Sequence, residues 1–221
     1  HLAEALTGGA SDVRELFASY KDKEWAEDLF KDYKKYGEDY TPSYTPFLLW
    51  KDTEFHSKYI NMNAEGVRQT WNPPALPSSS KKVYVLGGSS TLGSGSRDEY
   101  TIPSYISKLL NETKPQYEVA NYGTPAYRFP QEVMKLVLLL RDGHRPDYVV
   151  FYDGHNDVVT AYEEGDPAAL LFDGVRRAQL EGSSFGRIWT NFKEFLTRNC
   201  KTCRAAASLI RVFDKGAARQ Y

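Results

Sequence analysis

The sequence predicts an α/β protein, a doubly wound parallel sheet of the flavodoxin-like kind. Three short apolar strands alternate with two amphipathic helices, and each strand runs directly into small polar residues. Val83 to Leu86 is the first strand, ending in the Gly/Ser/Thr stretch "GGSSTLGSGS". Thr101 to Asn111 reads as a helix, with Ile102, Tyr105, Ile106, Leu109 and Leu110 at helical spacing on one face. Tyr117 to Ala120 is the second strand. Pro130 to Arg141 is the second helix: Pro130 suits a first turn and Gly143 a stop. "PDYVVFYDG", residues 146–154, is the third strand, apolar on both faces as an interior strand is. Right-handed crossovers between parallel strands place the helices on both faces of the sheet.

The chain divides by composition into an accessory unit, residues 1–78, and an α/β domain, residues 79–221. In the first, Ser11 reads as the N-cap of a helix with Val13, Leu16, Phe17 and Tyr20 on one face, and "KEWAEDLFKDYKKY" repeats the pattern with Trp25, Leu29 and Tyr33. Alternation and the "AEG" turn signal in "KYINMNAEGVRQTW" predict a short hairpin, whose Asn61, Met62, Asn63 and Arg68 are read as structural, with a reach toward the cleft as the alternative. "NPPALPSSS", residues 72–80, reads as a linker. Residues 167–221 read as helical, with Ile188, Phe192, Phe195 and Leu196 on one face.

Composition excludes more than it assigns. The 221 residues carry a net charge of −1 and 41% hydrophobic residues, an ordinary globular balance that supports neither nucleic acid nor an anionic membrane as partner. No apolar run approaches the roughly 20 residues of a bilayer span. Cys200 and Cys203 form a CxxC without a second Cys or His pair to complete a zinc site, so they read as two thiols or a disulfide. Tyr accounts for 16 residues, compatible with sugar stacking and equally with packing.

The chemistry is expected at the carboxyl ends of the strands, where open parallel sheets bind their ligands. Three small polar segments meet there: "GGSST", "NYGTPAY" and "DGHND". Gly88 to Gly93 has the outer spacing of a phosphate-binding loop, but Ser94 stands where that loop requires Lys, and no GxGxxG follows the strand. A flexible linker does not fit a stretch pinned between a buried strand and a helix. A serine on a strand-to-helix turn fits a nucleophile, with glycines permitting the tight backbone. The same residues also have a structural reading: Ser89 and Ser90 as helix caps, Gly123 as a turn glycine, Asn156 and Asp157 as a cap.

The blocks Gly87-Gly88-Ser89-Ser90-Thr91-Leu92-Gly93, Gly123 in "NYG" and Gly154-His155-Asn156-Asp157 together resemble the SGNH (GDSL-type) serine hydrolases over roughly residues 82–160. Gly88 stands where that family usually has Asp, as in its bacterial GGSST-type branch. The resemblance implies Ser89 as nucleophile, forming an acyl-enzyme with a carboxylic ester. It implies the backbone N–H groups of Ser89 and Gly123 and the side-chain amide of Asn156 as donors to the oxyanion. Donors of this kind are worth roughly 3 to 4 kcal/mol each. Ser90, His155 and Asp157 flank them as candidates for substrate contact. Neither metal nor organic cofactor is implied. The substrate would be a small-molecule or glycan ester, an O-acyl group on carbohydrate or lipid.

The family's fourth block, Asp-x-x-His, does not occur. The histidines are His1, His56, His144 and His155. His144 falls in a helix-to-strand loop at the opposite sheet edge, His56 precedes the domain, and His155 belongs beside the oxyanion site rather than behind the serine. The chain is therefore expected to be a fragment of an esterase, inactive alone. In the flavodoxin-like order 2-1-3-4-5 the third strand needs a neighbour, so residues 167–221 are expected to be an insertion before two absent strands, or else a cover for that edge. The alternatives are an O-acyltransferase acting on a polysaccharide with the same serine, and an inactive SGNH-like binding module. The chain begins with His1, which leaves an upstream export signal or anchor open, and the bacterial resemblance leans that way. Neither compartment nor oligomeric state is readable.

Overall fold

The computed structural model describes residue 20 and residues 22–164 of the chain. Most of the helix expected after Ser11, the helical stretch expected over 167–221, His1, Cys200 and Cys203 lie outside the described residues.

Three parallel strands form the centre. β5 (Lys81–Gly87) lies between β6 (Tyr117–Gly123) and β7 (Tyr148–Tyr152). Alternation along β5 decides what each face packs against. Val83 and Val85 join Val119, Ile106 and Val150 on one face. Tyr84 and Leu86 join Tyr122, Leu136, Leu139 and Phe151 on the other. The first face is covered by α3 (Ile102–Leu110) and the second by α4 (Phe129–Arg141). Thr101 caps α3 by accepting a hydrogen bond from the Ser104 N–H at 3.3 Å. Burying Val85 and Leu86 completely is worth about 1.5–3 kcal/mol each, so a charge at either position would break the sheet's centre. Among the described residues no strand pairs with the outer edge of β7.

Register fixes where the strands end. Gly87 pairs with Gly123 on one side and Tyr152 on the other, so all three strands run out at one level. α2 (Ser89–Leu92) follows β5, and α5 (His155–Glu164) follows β7.

The N-terminal segment is built against this sheet. α1 (Ala26–Asp39) buries Ala26, Leu29 and Tyr36 and exposes lysine–carboxylate pairs. The hairpin of β1 (Ser43–Thr45) and β2 (Leu49–Lys51) was not visible in the sequence, because Phe47 and Leu49 take positive φ where a turn glycine would be the signal. β3 (Phe55–His56) and β4 (Asn61–Met62) form a two-residue ladder. The turn expected at "AEG" does fold the chain back, with Gly66 at φ +74°, but through a single bridge, Met62 to Arg68. Arg68 bridges on to Asn121 at the edge of β6. Asn72, at the start of the expected linker, is a strand partner in miniature. Its amide donates to Val119 O at 2.9 Å and accepts from Val119 N at 2.9 Å.

Candidate functional site

Ser89 owes its position to crowding at the end of β5. A Cβ at Gly87 would stand 2.3 Å from Tyr152 O, so only glycine lets β5 and β7 close beside α2. At Gly88 a Cβ would stand 2.7 Å from the Asn156 amide nitrogen. The two glycines therefore bring the Ser89 turn and the Asn156 amide together. α2 stops after one turn because Gly93 takes φ +89°, its N–H donating back to Ser89 O at 2.9 Å. The freed carbonyls of α2 are taken up from below. Asn121 donates to Thr91 O at 3.0 Å, and Arg68 donates to Leu92 O at 3.0 Å and Gly93 O at 2.9 Å.

The result is a cavity of about 140 Å³ at the strand ends, lined by Gly88, Ser89, Ser90, Tyr127, Tyr152, Asp153, Gly154, His155 and Asn156. Ser89 is half-buried, and Ser90 and His155 are exposed. The Asn156 amide donates one proton to Tyr127 O at 2.7 Å, and an amide nitrogen carries two.

The other two residues singled out in the sequence stand behind the cavity. Gly123 packs against α2 so closely that a Cβ would lie 2.2 Å from Leu92 N, and its own N–H donates to Asn121 Oδ1 at 3.0 Å. Its smallness serves the approach of β6 to the Ser89 helix. Asp157 accepts from the Phe129 N–H at 3.2 Å, at the start of α4, and lies 3.6 Å from Arg128 Nε.

Tyr127, Tyr152 and Asp153 line the cavity without having been singled out. Asp153 and Tyr127 fall in segments expected at the strand ends, in "DGHND" and at the end of "NYGTPAY", but neither residue had a signal of its own. Beneath the cavity lies a buried polar layer. Lys135 Nζ donates to Tyr122 O at 3.0 Å and Thr124 Oγ1 at 2.9 Å, and burial pulls it down to about 8. Burial lifts Asp52 to about 6 against the pull of Lys135 and the Tyr36 hydroxyl, which donates to it at 3.1 Å. Glu132 is fully buried; that burial, and then the Asp153 and Asp157 carboxylates, push it up to about 9. Among the described residues no group of three or more His, Cys, Asp or Glu side chains is placed to hold a metal, and no helix is long and apolar enough to cross a membrane.

No protein-family model matches the sequence, and no curated protein matches it.

Proposed function

We propose that the cavity at the strand ends is the acyl-transfer site of an SGNH-like serine ester hydrolase, on a sheet whose order β6-β5-β7 is the first part of a flavodoxin-like one. One observation carries the reading: Gly88 admits the Asn156 amide to the backbone that presents Ser89. A serine oxygen and a neutral amide donor thus share a cavity, the pair that acyl transfer needs.

In this reading Ser89 Oγ attacks the carbonyl carbon, and the Ser89 N–H and the second Asn156 proton receive the oxyanion. The ester C–O bond then breaks, the alcohol leaves with a proton, and water releases the acid from Ser89 by the same route. The described lining carries no aliphatic side chain. Each buried methylene of an acyl chain needs apolar surroundings to gain its roughly 0.8 kcal/mol, so the reading favours a short acyl group on a polar alcohol. Asp153 and His155 are the described lining residues whose side-chain types serve as general bases in hydrolases. Without the Asp-x-x-His block, turnover by this chain alone is slow, since a serine hydroxyl without a dedicated base is a weak nucleophile.

The test is p-nitrophenyl acetate turnover by this chain and by the product of the whole reading frame, each beside its Ser89→Ala variant. The expected result is turnover by the product of the whole reading frame that falls by about a thousandfold or more in its Ser89→Ala variant, with little turnover by this chain alone. Background rates in both proteins, with Ser89 unlabelled by a fluorophosphonate, would sink the hydrolase reading in favour of a binding module.

A further inference from the structure

The turn that carries Tyr127 is held from outside the sheet. Thr124 N donates to Gly87 O at 2.9 Å and Tyr127 N to Thr124 O at 3.2 Å, closing a tight turn over residues 124–127. Within it Ala126 takes φ +60°, a left-handed conformation that a residue with a Cβ holds only when its surroundings impose it. Two elements impose it. Lys135 grips the near end through Tyr122 O and Thr124 Oγ1. Trp50, on β2, grips the far end. Its indole N–H donates to Pro125 O at 3.2 Å, its own carbonyl accepts the Tyr127 hydroxyl, and its ring meets the Tyr127 ring edge-on at 5.6 Å.

The far end of this clamp is in the cavity. Tyr127 O is the acceptor that orients the Asn156 amide, 2.7 Å away, and that amide fills the space a side chain at Gly88 would occupy. Trp50 itself does not line the cavity. A release of Pro125 O lets the strained turn relax, Tyr127 O moves with it, and the amide follows its acceptor. We infer that Trp50 is a positioning residue of the candidate site: the β1–β2 hairpin, through Trp50 and the turn over residues 124–127, sets where the Asn156 amide points beside Ser89. The catalytic consequence rests on the ester-hydrolase reading, whereas the placement of the amide does not.

Two variants break the clamp. Trp50→Phe keeps an aromatic ring and removes the N–H, and Tyr127→Phe keeps the ring and removes the hydroxyl. Gln131→Leu is the control. It breaks another hydrogen bond to the same hairpin, from Gln131 Nε2 to Leu48 O at 2.8 Å, without touching the turn. The first readout is the side-chain amide of Asn156 in the ¹⁵N-labelled protein, assigned by its disappearance in Asn156→Asp. In Trp50→Phe and Tyr127→Phe these protons are expected to exchange with water about tenfold faster, as a loosened local bond does, and in Gln131→Leu at the wild-type rate. The second readout is p-nitrophenyl acetate turnover, with kcat for Trp50→Phe expected to fall about tenfold and KM to change less than about twofold, as for a misplaced group. An unchanged Asn156 amide in both variants, alongside a loss of melting temperature like that of Gln131→Leu, makes the hairpin merely structural and overturns the inference. Where neither this chain nor the product of the whole reading frame shows Ser89-dependent turnover, the ester reading fails and the amide exchange alone decides the positioning.

Discussion

Arg68 and Glu132 are both charged residues buried almost completely, 2% and 0% exposed, and the molecule treats them in opposite ways. Arg68 sits under the loop that follows Ser89. Its Nε meets Asp98 at 3.0 Å, and its remaining donors reach Leu92 O, Gly93 O and Ser96 O. Asp98 in turn accepts from the Asn61 amide at 2.7 Å. The planar fork of donors matches the carbonyls that a one-turn helix leaves behind. Glu132 lies under the other side of the cavity. Neither of its oxygens has a hydrogen-bond partner of ordinary geometry among the described residues, and its neighbours Asp153 and Asp157 are acids. A buried charge met by complementary groups shapes a loop. A buried carboxyl met by other carboxyls holds a proton, and its stability depends on pH.

The largest effect comes from breaking the matched charge. Arg68→Leu leaves Asp98 buried without its cation and strips Leu92 O, Gly93 O and Ser96 O of a donor. Removing one partner of a buried pair costs about 3–5 kcal/mol, read as a lowered urea midpoint at unchanged slope. Asp98→Asn added to Arg68→Leu should recover part of that loss, because the orphaned charge goes with it. A wild-type midpoint in Arg68→Leu would mean that the network contributes nothing to holding the loop.

This comparison also shows what a sequence conceals. The unbroken apolar run Val83 to Leu86 made the central strand legible, since a strand buried on both faces needs no polar alternation. The helical spacing of α3 and α4 was legible as well, to within a residue at each end. β6 runs three residues beyond Ala120 because Asn121 breaks the apolar run, yet Asn121 is fully buried, its amide spent on Thr91 O and Leu92 O. The convergence of the three strand ends follows from parallel topology, so the meeting of the Ser89 turn with "DGHND" was legible too. α5 was not delimited because its hydrophobic face is weak, and only the reading of Asn156 and Asp157 as a helix cap pointed to a helix there. Arg68 and Trp50 carried no local signal of their roles. Their partners lie far along the chain, as with Trp50 and Tyr127, 77 residues apart, and only the fold brings them together.

A smaller effect sharpens the contrast through its dependence on pH. An unfolded Glu titrates near 4.5, and burial followed by Asp153 and Asp157 lifts Glu132 to about 9 in the folded chain. The folded state therefore holds one more proton than the unfolded state between those values. Its stability is fully present below about pH 4.5 and is lost as pH rises toward 9, at up to ~1.4 kcal/mol per pH unit. Asp52, raised to about 6, acts in the same direction but is exhausted above that pH, and Lys135, lowered to about 8, begins to restore stability only above it. The interval from pH 6 to 8 thus belongs mainly to Glu132. Glu132→Gln keeps the shape and cannot ionise, so its stability is expected to exceed that of the wild type increasingly across this interval. Denaturation midpoints at half-unit steps give the test, with the Glu132→Gln curve diverging from that of the wild type as pH rises. Parallel curves for Glu132→Gln would mean that Glu132 ionises in the folded chain near its ordinary value, and the opposition between the two buried charges would disappear.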